Sequence, residues 1–177
     1  MIVPTLPEFK ALAKGGKLVP VYREVLADLD TPVSAFRKVD EGPYAFLLES
    51  VEGGEKWGRY SILGSRPSLV FVARGDRCEI RQGGRVTPCT RPPIEELADL
   101  LNRHQAVALP GLPRFCGGAV GYFGYDAVRW FERLPARAQD DQNLPDAVFM
   151  FGDVVSVFDG LTHTLKVVTH ARGGGDP

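Results

Sequence analysis

The stretch YAFLLESVEGGEKWGRYSILGSRPSLVFVARGDRCEIRQ, Tyr44 to Gln82, decides the fold class. Four short runs rich in β-branched and aromatic residues, YAFLLES, RYSILG, SLVFVAR and DRCEIRQ, are separated by Gly-Gly, Arg-Pro and Gly-Asp. Such runs between turn residues read as strands, and their close sequence spacing predicts an antiparallel meander. Two later runs, AVFMFGDVVSVFD and TLKVVTH, are further strand candidates with the length and turn signals of a hairpin. LVPVYREVLAD reads as an earlier strand.

Helical spacing appears in three places. Leu6, Phe9, Leu12 and Ala13 share a face until Gly15-Gly16 stops the pattern. Asp30-Thr31-Pro32 offers an N-cap and a proline in the first turn, which predicts a helix over Val33 to Val39. Pro92-Pro93 opens IEELADLLNRHQ, where Ile94, Leu97, Ala98 and Leu101 align and Glu95, Glu96 and Asp99 lie near the positive helix end. FCGGAVGYFGYDAVRWFERLP reads as a glycine-rich strand passing into a short helix. Strands and helices come in blocks rather than in a β-α-β rhythm, so an α+β protein with a mainly antiparallel sheet and flanking helices is expected. One domain over residues 1–170 is predicted, with 171–177, ending in GGGDP, as a linker.

Composition narrows the function classes. The 177 residues carry 21 Lys and Arg against 22 Asp and Glu, so no excess of positive charge favours nucleic acid. No apolar run reaches the roughly 20 residues needed to span a bilayer, and MIVPTLPEFK lacks the basic start and apolar core of a signal peptide. A cytoplasmic protein without membrane or nucleic-acid partners is therefore expected. Cys78, Cys89 and Cys116 are odd in number and form no CxxC, which predicts reduced, mostly buried thiols rather than a zinc site or disulfide framework.

Familiar catalytic patterns are missing from the chain. Gly118, Gly121 and Gly124 recur every third residue and do not form GxGxxG, and no Lys-Ser/Thr follows them. Close approach of a neighbouring backbone explains them better. His104, His163 and His170 are scattered without a Ser, Cys or carboxylate at motif spacing, so surface positions are expected, and neither catalytic nor metal residues are assigned.

One place combines apolar and polar chemistry. Leu47 and Leu48 continue a strand that Glu49 and Ser50 end beside a Glu52-Gly53-Gly54 loop, while Arg59, Tyr60 and Ser61 begin the next strand. In a hairpin of this length Arg59 is expected near Glu49 and Ser50 across the sheet. Carboxylate or hydroxyl to ammonium, guanidinium to carboxylate and leucine to an apolar body would grip an amino acid. A plain Glu-Arg cross-strand pair with a Ser at the turn accounts for the same residues.

LLESVEGGEKWGRYSILGSRP and GGAVGYFGYDAVRWFERLP closely resemble the N-terminal region of anthranilate synthase component I, and the resemblance runs from near Pro32 to the final strands. It implies half of a layered α/β/β/α sandwich. It also implies conversion of chorismate and ammonia, delivered from glutamine by a partner amidotransferase (component II), to anthranilate and pyruvate with magnesium, and feedback inhibition by L-tryptophan. The LLES segment of that family lines the tryptophan site, which points to Ser50, Glu49 and Leu48, with Arg59, Tyr60, Ser61 and Pro32 nearby. Nothing after Pro177 supplies the family's C-terminal catalytic half with its magnesium ligands. The resemblance thus implies an inactive fragment that self-associates through uncovered apolar surface. The chorismate-using component of aminodeoxychorismate synthase and a free-standing amino-acid-binding module are the alternatives, although YDAVRWFERLP looks more like the anthranilate version.

Overall fold

The computed structural model describes residues 1–49, 58–135 and 139–173. In chain order its strands are β1 (Ile2–Val3), β2 (Leu18–Leu26), β3 (Ala45–Leu48), β4 (Tyr60–Ser65), β5 (Leu69–Arg74), β6 (Arg77–Gln82), β7 (Arg85–Pro88), β8 (Ala119–Phe123), β9 (Ala147–Phe151), β10 (Val154–Asp159) and β11 (Thr164–Arg172). The α-helices are α1 (Leu6–Leu12), α2 (Pro32–Val39) and α3 (Pro93–Arg103), and a 3₁₀ helix covers Tyr125–Trp130. The α+β class with mainly antiparallel sheet matches the expectation. Among the described residues no helix is long and apolar enough to cross a membrane.

The chain forms two compact units. The first comprises Met1–Pro67, His104–Gly118 and Gly152–Pro177. Its sheet has the order β1-β2-β11-β10-β4-β3, with every neighbouring pair antiparallel. Val155, Val157, Val168 and Tyr22 form its buried cluster, with Tyr60 and Ile62 packed against them. α2 packs on β4 and β3. Thr31 caps α2: its hydroxyl accepts from the Ser34 backbone N–H at 3.1 Å, satisfying a donor that the first helical turn leaves open.

The second unit comprises Ser68–Arg103 and Ala119–Phe151, with sheet order β7-β6-β5-β9-β8. Leu97 and Leu100 of α3 pack into a cluster with Phe71, Phe151 and Cys78. The helical face read from the sequence is thereby corrected: Leu97 is buried as expected, but Leu100 joins it in place of Ala98 and Leu101, which are exposed. Burial pushes the Cys78 thiol up to about 12, which leaves it an apolar filler rather than a nucleophile. Cys89 and Cys116 are half-buried, and all three cysteines are free.

Three expectations are corrected. The meander is divided: β3 and β4 pair in the first sheet, whereas β5 and β6 pair in the second. The change falls at Arg66-Pro67, where Arg66 takes a positive φ of 50° and proline has no N–H for a ladder. AVFMFGDVVSVFD likewise supplies β9 to one sheet and β10 to the other, changing at Gly152-Asp153, so only β10 makes the expected hairpin with β11. β11 continues to Arg172, two residues into the stretch read as a linker.

Gly121 shows why β8 needs glycine. It stands opposite Phe149 of β9, and an added Cβ would lie 1.9 Å from the Val148 carbonyl oxygen and 2.7 Å from the Phe149 Cα. Backbone cannot swing aside as a side chain can. Gly121→Ala is expected to cost about 2–4 kcal/mol, in the range of severe overpacking. Urea denaturation checks this, and an unchanged midpoint would contradict the close β8–β9 approach.

Candidate functional site

The residues singled out by sequence lie in the first unit, around the β3–β4 pair. Leu48 stands opposite Ile62 and Leu47 opposite Leu63. Strand alternation therefore puts Leu48, Tyr60 and Ile62 on one face and Leu47, Ser61 and Leu63 on the other. Ser65 continues the second face, and its hydroxyl donates to the Val39 carbonyl of α2. That face is the one α2 covers, and Pro32 sits half-buried at the first turn of α2.

The expected cluster consequently separates into two groups. Leu48, 46% exposed, and half-buried Tyr60 share the face away from α2. Arg59 joins them, because its guanidinium carbon lies 4.9 Å from the Tyr60 ring centroid in cation-π contact. Ser61 is buried on the α2 side with Pro32. Glu49 is exposed just beyond β3. Ser50, the centre of the sequence-derived site, lies outside the described residues.

No Glu49–Arg59 ion pair forms, which corrects the cross-strand expectation. Arg59 instead grips Asp159, at the end of β10, with two parallel bonds: Nε donates to Oδ1 at 2.9 Å and Nη2 to Oδ2 at 2.6 Å. The register sets this up, since Asp159 stands opposite Tyr60 and the Gly160 N–H donates to the Arg59 carbonyl at 2.8 Å. Asp159 is 1% exposed, and its Oδ1 also accepts the Leu161 N–H at 3.1 Å.

The electrostatics follow from this geometry. Burial by itself would raise the Asp159 carboxyl, but the Arg59 bonds, the Leu161 and Thr162 backbone donors and the arginine charge outweigh it. They hold the carboxyl below its ordinary range. Asp159 in turn raises the Arg59 guanidinium. The bidentate edge of Arg59 is thus committed within the protein, and a ligand carboxylate would meet its remaining Nη1 edge.

Sequence reasoning missed Asp159, which is 100 residues from Arg59. The only signal was an acid ending an apolar strand, VVSVFD, immediately before Gly160. His170 was also misplaced as a surface residue. It is half-buried, and its ring occupies the space a Gly117 Cβ would need, 2.2 Å from that position. Burial lowers its imidazole below the ordinary value, partly offset by Asp153. With His104, Asp153 and Arg172 it lines a polar cleft of about 230 Å³.

The described residues do not fit a magnesium site. No three His, Cys, Asp or Glu side chains among them come together to hold a metal ion.

The family model for chorismate binding enzymes matches residues 44–174. The anthranilate synthase component 1 of Acetivibrio thermocellus is 44% identical over 177 residues, covering 99% of this chain and 36% of that protein. That of Synechocystis sp. is 41% identical over 179 residues, covering 99% of this chain and 35% of that protein. The crystal structure of anthranilate synthase component I from Streptococcus pneumoniae TIGR4 superposes with a TM-score of 0.50 at 26% identity, covering 80% of this chain and 30% of that one. The chain spans about a third of the length of these relatives.

Removing the buried carboxylate tests the Arg59–Asp159 pair. Asp159→Asn is expected to lower stability near neutral pH by about 1–2 kcal/mol, because the partly exposed Arg59 guanidinium loses the charge of its bidentate partner. Asp159 has a folded pKa below its unfolded value near about 3.9, so its contribution is complete above that value and fades as pH falls through the folded one. The difference between the urea midpoints of the two proteins should therefore begin to shrink only below about pH 4 and fade as Asp159 protonates in the folded state. A difference that persists in acid would exclude the ionised pair as its source.

Proposed function

The chain belongs to the chorismate binding enzyme family, and we propose that it is the N-terminal, tryptophan-sensing part of an anthranilate synthase component I. The observation that carries this reading is 44% identity across 99% of the chain to a protein of that name. In the full-length protein chorismate and ammonia become anthranilate and pyruvate. The ammonia comes from glutamine through a separate amidotransferase subunit, and magnesium and the catalytic residues belong to the remainder of the polypeptide. The enzyme is a cytoplasmic lyase of tryptophan biosynthesis.

Leu48, Glu49, Ser50, Arg59 and Tyr60 form the inhibitor site in this proposal, with Ser61 and Pro32 supporting it from the α2 side. The exposed Leu48 offers apolar surface, and the Arg59 edge not bonded to Asp159 offers donors to a carboxylate. Tryptophan inhibits by favouring an arrangement of the full-length protein in which chorismate binds poorly. Such a ligand acts only through its different affinities for the two arrangements, so weakening its contacts removes inhibition and spares turnover.

Full-length protein supplied with chorismate, magnesium and ammonia is expected to release fluorescent anthranilate and pyruvate, and L-tryptophan is expected to suppress both. Ser50→Phe should raise the tryptophan concentration for half-inhibition by about tenfold or more, while uninhibited kcat changes little. Accumulation of an aminodeoxychorismate would instead assign the protein to the folate-pathway enzyme. A Ser50→Phe enzyme with wild-type tryptophan sensitivity would remove Ser50 from the inhibitor site.

A further inference from the structure

The first unit has a second cleft, away from the β3–β4 residues, between α1 and the end of β11. Its volume is about 530 Å³, and Leu6, Phe9, Ala13 and Ala171 give it an apolar floor. Lys10, Lys14 and Arg172 stand on its rim, and no Asp or Glu is among the lining residues.

The local sequence explains this arrangement. α1 is amphipathic and short, and its N-cap Thr5 engages the only helical acid, with the Glu8 carboxylate accepting the Thr5 N–H at 2.8 Å and its hydroxyl at 2.7 Å. The negative charge is therefore held at the far end of the helix. At the other end Gly15 and Gly16, with φ of 76° and 72°, turn the chain with open space where a Cβ would stand. Gly173 has no such room, because an added Cβ would lie 2.5 Å from the Ala13 carbonyl oxygen. The chain after β11 thus comes against the C-terminal end of α1 by direct backbone approach beside the cleft. Arg172 donates to the Gly16 carbonyl at a long 3.5 Å, which holds the guanidinium at the mouth. Lys10 and Lys14 are exposed and have no ion-pair partner among the described residues.

We propose that this cleft binds a small aromatic carboxylate. The ring lies on Phe9, Leu6 and Ala171, and the carboxylate meets Lys14 and Lys10 at the rim. The volume falls within the ordinary range of small-molecule sites, and an apolar floor with a few convergent polar groups is their usual composition. The charge pattern selects the ligand's sign: cations without a lining acid favour an anion and leave the ammonium of an amine or zwitterion unmatched. The site shares no residue with the proposed tryptophan site and does not depend on that reading.

Isotope-labelled full 177-residue chain titrated with benzoate tests this by NMR, with benzylamine and acetate as comparisons. Saturable shifts at Ala13, Gly15, Gly16 and Ala171 with benzoate, absent with benzylamine and much weaker with acetate, are expected. The exposed double variant Lys10→Glu/Lys14→Glu should weaken benzoate by about fivefold or more, as for the loss of two exposed charge contacts, with an unchanged thermal melt. Equal response to benzylamine, no response to millimolar benzoate, or an unaltered affinity in the double variant would overturn the proposal. So would shifts that follow protein concentration instead of benzoate, since they would make the cleft a contact between copies of this chain.

Discussion

Burying the Asp159 carboxylate at the end of a central strand imposes a condition that the surrounding structure has to meet. A carboxylate at 1% exposure is costly unless its charge is matched and its lone pairs are filled. Arg59 supplies two bonds and the charge, and the following turn supplies backbone N–H groups. These contacts tie the start of β4, the end of β10 and the β10–β11 turn together, so the position of Arg59 above Tyr60 follows from the fold rather than from any ligand. Among the described residues no buried side-chain nitrogen or oxygen is left without a partner.

The same clamp bears on the proposed inhibitor site. An arginine free in solvent must lose rotamer freedom on gripping a ligand, whereas Arg59 is already fixed by Asp159 and by the ring beneath it. Preorganisation of this kind favours a weak but selective contact through the uncommitted guanidinium edge. It also makes Asp159 a supporting residue for any such site, although it lies far from the LLES segment in sequence.

How much of this was legible in the chain depends on range. Local signals largely succeeded: Thr31 caps α2, α3 forms where expected and buries Leu97, though with Leu100 rather than Leu101, and the glycine-rich run becomes β8 followed by a 3₁₀ helix. Most strands were also readable, the short β1 and β7 excepted, but sheet membership was not. Period-two alternation is the same whichever sheet a strand joins, so Arg66-Pro67 and Gly152-Asp153 looked like ordinary breaks in one meander and one long strand. The site shows the same limit. Leu48, Glu49 and Arg59 stood out because apolar and charged residues meet there, yet the partner of Arg59 came from β10 and not from β3. No spacing rule reaches across 100 residues, and only the register of β4 with β10 reveals the pair. The opposite faces of Tyr60 and Ser61 were, by contrast, deducible from alternation alone.

The most direct measurement is isothermal titration of L-tryptophan into the full-length protein, compared with L-phenylalanine and L-lysine, followed by the same titration of Leu48→Ala and Arg59→Lys variants. The account predicts selective tryptophan binding that both variants weaken, Arg59→Lys because a point charge cannot keep the Asp159 fork and also present a fixed second edge. Tryptophan binding of wild-type strength in both variants, or equal binding of lysine, would contradict it.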